Sequence, residues 1–205
     1  MYQLVERRAR EIMLPVKVAT RERGYRYYHG LRTVRIAENL IARSEELDRA
    51  EVDLFLVRCG GLLHDIAKGL MDGEHGEEGA RLVREGFSDL LGAHDLDRVA
   101  DIVRYHNKRD PTRDYPVEVK VIQDADLIDH LGAMEVWLAF HWSAARDEPV
   151  AESLRWFEGD RARSWWDYCL SHCNFELSRL AMERRLERFW RFLADLRREN
   201  DGELW

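Results

Sequence analysis

Apolar residues recur along this chain at intervals of three and four, the period of a helix packed on one side, over almost its whole length. No segment sustains the period-two alternation of a half-buried strand, and no Asn-Gly or Asp-Gly pair separates β-branched runs. The helical period is carried near 2–14, 28–46, 49–67, 75–86, 94–107, 117–131, 133–157 and 161–198. Between these, stretches such as Lys68–Glu74 and Lys108–Pro116 hold the Gly, Asp and Pro of turns. The pattern predicts an all-α fold, a single helical bundle. Trp and Arg become dense after Pro149, so 150–205 is expected to form a helical extension docked on the bundle, with 1–205 as one domain.

Several polar residues interrupt the apolar stripes. His29 shares a face with Thr33, Ile36 and Leu40, and His64 follows Val57, Gly60 and Gly61 with Asp65 beside it. His75 heads a stripe with Gly79 and Leu82, His106 completes Val99, Ile102 and Val103, and Asp126 and Asp129 lie with Val119, Ile122 and Ala133. One inward histidine is ordinarily a hydrogen-bonded core residue. Five helices that each send a His or Asp inward are a different matter, because a buried carboxylate without a partner costs roughly several kcal/mol and protonates instead. Convergence on one cation is the simplest account: it keeps Asp65 and Asp126 ionised and uses the lone pairs of neutral imidazoles.

The order of these residues, with His29 in "HGLRTVRIAENL", His64-Asp65 in "GGLLHDIAKG" and Asp126 in "IQDADLIDHLGA", resembles the HD superfamily of metal-dependent phosphohydrolases over about residues 27–145. The resemblance implies that His29, His64, Asp65 and Asp126 bind one divalent metal, and that His75 and His106 form a second metal position or contact phosphate. It implies hydrolysis of a phosphate ester or anhydride by attack of metal-bound water or hydroxide, Asp65 bridging two ions if both sites fill. The segment "HNKRDPTRDYP" departs from the cyclic-dinucleotide branch, with Asn107 in place of a second histidine and Asp114 in place of glycine. The "QDADLIDHLGA" stretch is closer to small stand-alone bacterial members, so a small nucleotide is the expected substrate. N/O ligands of this kind accept Mn, Fe, Co, Ni, Zn or Mg.

Cations stand close to these positions in sequence. Lys68 is four residues after His64, Arg32 three after His29, and Lys108 and Arg109 follow His106 directly; each is a candidate for substrate phosphate. The start of the helix near His75 offers backbone N–H groups to the same anion. Asp129, one turn from Asp126, is a candidate partner for a ligating histidine. His130, Trp137 and His141 read as one face, either core or an aromatic wall for a base. The turn at 71–74 is expected to move, which would weaken a second metal position at His75. Cys169 and Cys173 read as packing, and the stripe Leu186, Phe189, Trp190, Leu193, Leu196 as a docking face, with a homo-oligomer seam as the alternative.

Charge and composition narrow the partners. With 32 Lys+Arg against 39 Asp+Glu the formal net charge is −7, and no basic stripe suits long nucleic acid. No apolar run reaches the ~20 residues that cross a bilayer, and no leader pattern opens the chain. Three cysteines do not make a disulfide framework, so a reduced, cytoplasmic setting is expected. Two other functions share these features: a nucleotide-sensing module without turnover, and a di-iron oxygenase. A complete ligand set weighs against the first, and cations near the metal against the second.

Overall fold

The computed structural model describes residues 1–70 and 75–204, so the turn at 71–74 lies outside the described residues. Within them the fold is all-helical: α1 (Tyr2–Met13), α2 (Tyr25–Arg43), α3 (Leu54–Leu63), α4 (Gly76–Phe87), α5 (Ala93–Tyr105), α6 (Val117–Asp129), α7 (Ala133–Ala145), α8 (Val150–Glu158), α9 (Asp160–Ser171) and α10 (Glu176–Asn200). Four expected spans are revised. Helix α2 begins three residues early, after Gly24 takes a left-handed φ of 73° that only glycine adopts without strain. Helix α3 is shorter than 49–67, because the Asp53 carboxylate accepts from the N–H groups of Phe55 and Leu56 and fixes the start. The span 133–157 breaks before Pro149, which biases Glu148 away from helical backbone. The span 161–198 breaks at 172–175, where the N–H groups of Asn174 and Phe175 donate to Asp124 on α6.

Helix α2 packs on α3 and α6, α3 also on α5, and α4 on α5. Val34, Leu56, Leu63, Ile102 and Ile122 fill the space between them. Two contacts are made backbone to backbone. A Cβ on Gly30 would stand 2.4 Å from the Leu62 carbonyl oxygen, and one on Gly76 would stand 2.5 Å from that of Arg104. Each glycine directly follows an inward histidine, so the same close approaches that seat α2 on α3 and α4 on α5 carry His29 and His75 inward.

Helix α10 buries Ser178, Met182, Leu186, Phe189 and Leu193, while Trp190 from the expected stripe is 38% exposed. The Arg185 guanidinium donates to the carbonyl of Ile128 and so ties α10 to the end of α6. Ala133, expected beside Asp126, is exposed at the start of α7. Cys59 and Cys169 are buried free thiols, and Cys173 is half-buried. Among the described residues, no helix is long and apolar enough to cross a membrane.

Candidate metal centre

The inward histidines and aspartates meet where α2, α3, α5 and α6 face one another, with His75 entering from the start of α4. His64 and His106 cap the C-terminal ends of α3 and α5. Their Nδ1–H groups donate to the carbonyls of Gly61 (2.8 Å) and Val103 (2.7 Å). The His29 Nδ1–H donates to Asp129 Oδ2 at 2.7 Å. With each Nδ1 committed, Nε2 becomes the inward atom with a free lone pair. The Nε2 atoms of His29 and His64 are only 3.0 Å apart, and that of His29 is 3.1 Å from Asp126 Oδ1. A second pair, His75 Nε2 and His106 Nε2, stands 3.2 Å apart.

Asp65 lies between the two pairs. Its Oδ1 is 2.8 Å from His75 Nε2 and 3.6 Å from His106 Nε2. Its Oδ2 is 3.6 Å from His29 Nε2 and 3.8 Å from His64 Nε2, and the Lys68 ammonium stands 2.8 Å from it. Imidazole lone pairs this close repel each other unless a positive charge stands among them. The donor set, neutral nitrogens with two carboxylates, fits a divalent cation. His29, His64 and Asp65 form one group able to hold an ion, and Asp65, His75 and His106 form another.

The electrostatics have the same sense. Burial works to raise Asp65 and Asp126, yet both are held well below the usual carboxylate range. For Asp65 the largest opposing influence is the Lys68 charge, followed by the neighbouring His64, His106 and His75; for Asp126 it is His130, followed by His29 and His64. Burial also opposes ionisation of Asp129, but bonds from His29 and Arg32 pull it down to about 2. Burial lowers His106, whereas for His64 the charges of Asp65 and Asp126 outweigh burial and raise it.

The cations expected near the site differ in what they can do. Lys68 lies past the end of α3, with Nζ 2.8 Å from Asp65 Oδ2. Arg32 is committed: its Nε donates to both Asp129 oxygens at 3.0 Å and its Nη1 to Glu22 at 3.2 Å, so it braces the carboxylate that orients His29. Arg109 donates to the Gln123 carbonyl (2.9 Å), and Lys108 is 3.9 Å from Glu77. The first turn of α4 carries Glu77 and Glu78, which already complement its N–H groups and disfavour an anion there.

His130 parts company with Trp137 and His141. Its Nδ1 donates to the Asp126 carbonyl (2.9 Å) and its Nε2 pairs with the Tyr25 hydroxyl (3.2 Å), while Trp137 stacks edge-on with His141 and donates to Glu22. Sequence reasoning passed over Tyr25, which stacks on His29 with ring centroids 5.1 Å apart. Its place one turn before His29 on α2 was the available signal. Sequence reasoning offered His130 only as core or as part of an aromatic wall and not as a neighbour of Asp126, although His130 is one turn after Asp126.

The chain is similar to known proteins in sequence and in fold. The HD domain family profile matches residues 26–131, just over half of the chain, and the protein belongs to that family. A 43-residue segment is 56% identical to the uncharacterized protein MJ0778 of Methanocaldococcus jannaschii, covering 20% of this chain and 25% of that relative. The fold is that of Bacillus subtilis YpgQ, solved in complex with ADP: TM-score 0.68 and 20% identity over 97% of this chain and 94% of that one. An HD-superfamily hydrolase from Bacillus thuringiensis superposes with a TM-score of 0.67, at 18% identity over 98% and 97% of the two chains.

Proposed function

We propose that this protein is a metal-dependent phosphohydrolase acting on a small phosphorylated substrate, a nucleotide in the finer reading. The observation that carries the proposal is Asp65, one buried carboxylate with an oxygen turned toward each of two histidine pairs. His29, His64, Asp65 and Asp126 would hold the first divalent ion. His75 and His106, with Asp65 shared, would hold a second more weakly or meet substrate phosphate, since less negative charge faces them. An ion so held lowers the pKa of bound water and neutralises charge developing on phosphorus.

The chain's own residues do the rest. Asp129, braced by Arg32, keeps His29 in the tautomer that presents Nε2. Lys68 stands at the mouth beside Asp65, where its ammonium can meet a phosphate oxygen. The ADP in the YpgQ complex, a protein of the same fold, supports the nucleotide reading. The test is a screen of metal-reconstituted protein against nucleotides and phosphodiesters, with free phosphate and pyrophosphate measured separately. Turnover is expected only with a divalent metal and is abolished in Asp65→Ala. Wild-type turnover in Asp65→Ala would rule the proposal out.

A further inference from the structure

His130 has a second side. Beyond it a cavity of about 740 Å3 opens between α7 and α8, reaching the loop at Arg21 and the first turn of α9. Its size is that of small-molecule sites, roughly 300–1,000 Å3. The wall carries Arg21, Arg146, Arg155 and Arg161 together with the indoles of Trp142 and Trp156. Both indoles are large apolar rings left substantially open, 44% and 43% exposed.

The charge there runs against that of the whole molecule. Four guanidiniums face three carboxyls, Glu135, Glu148 and Glu152, in a chain whose net charge is −7. Burial pushes Glu135 up to about 7, against the pull of His130 and Arg21, so near neutrality it carries only part of a charge. Arg146 pairs with Glu148 and lies 5.4 Å from the centre of the Trp142 ring. Arg155 pairs with Glu152 at 3.6 Å, and the Arg161 side chain makes no hydrogen bond or ion pair among the described residues. The two ends of the cavity differ. At the inner end the Arg21 guanidinium lies 5.6 Å from the ring of Tyr25, whose hydroxyl meets His130. At the outer end stand the exposed rings.

We propose that this cavity is a binding site for the base and sugar of a nucleoside polyphosphate, the base stacking on Trp142 and Trp156 and the phosphates running past Arg21 and His130 to the His/Asp centre. An aromatic ring carrying a polyanion is the ligand class that uses both features of the wall. Trp faces stack bases without regard to their hydrogen-bonding edges, and arginines grip non-reacting phosphate oxygens. Glu148 and Glu152 supply acceptors for sugar hydroxyls or an exocyclic amine. The site deepens the phosphohydrolase reading and rests on it only for the direction of the phosphates.

The test is calorimetric titration of the full chain with a non-hydrolysable nucleoside triphosphate analogue, and separately with tripolyphosphate, which has no base. Trp142→Ala and Trp156→Ala are each expected to weaken the analogue about tenfold, the scale of lost base stacking, and to leave tripolyphosphate unchanged. Trp156→Phe should restore most of the loss, which separates stacking from misfolding, and Arg21→Ala should weaken both ligands. Analogue affinity equal to wild type in both tryptophan variants would overturn the proposal, as would the absence of analogue binding to the wild type. The hydrolase reading fails separately: tight analogue binding without metal-dependent turnover of any phosphorylated compound removes that reading and leaves the cavity as a nucleotide site.

Discussion

Asp129 shows how much a residue can matter without facing the centre itself. Its carboxylate takes the His29 Nδ1–H and is gripped by Arg32, so it sets both the ring orientation and the tautomer of a histidine on which the first metal position depends. Partners of this kind typically contribute 10–100-fold to metal affinity. In Asp129→Asn the charge is lost and the shape kept, and manganese affinity measured by calorimetry is expected to fall about tenfold or more. Affinity equal to wild type would mean that His29 needs no such partner. At this scale the sequence was informative wherever a polar residue broke an apolar stripe, as His29, His64, His106 and Asp126 do. It was silent on Tyr25, Arg21 and Trp142, ordinary residues whose meaning comes only from the neighbours that tertiary packing supplies.

Between helices, the close approach at Gly30 is the feature that brings His29 to His64. Replacing a helical glycine by alanine ordinarily gains about 1 kcal/mol of helix propensity. Here the added Cβ would stand 2.4 Å from the Leu62 carbonyl oxygen, and backbone cannot step aside as a flexible side chain does. Overpacking of this kind costs about 1–3 kcal/mol, so the two effects oppose and the second should win. Gly30→Ala is therefore expected to lower the melting temperature, and a rise would show that α2 and α3 have room to spare. Helix existence was legible from periodicity, and so were most boundaries to within a few residues. The two breaks that were missed have different causes. Pro149 was a local signal left unused, whereas the break at 172–175 depends on Asp124, some fifty residues away, accepting from Asn174 and Phe175.

Across the whole molecule, a net charge of −7 coexists with a cavity whose wall has more guanidiniums than carboxyls and with a centre whose carboxylates remain ionised despite burial. These features belong together if the protein gathers cations at one point and a small phosphorylated anion beside them, and family membership in the HD domain group gives that arrangement its context. The all-helical class and the convergence of the five helices could be read from the chain; the cavity could not, because its walls come from α7, α8 and the loop before α2, segments with no shared motif. Manganese titration of wild type against Asp65→Ala tests the central claim most directly, since it reads the centre without reference to any substrate. The account predicts one tight ion and a second, weaker one in the wild type, and loss of the weak position with marked weakening of the tight one in Asp65→Ala. Identical titrations of the two proteins would contradict it.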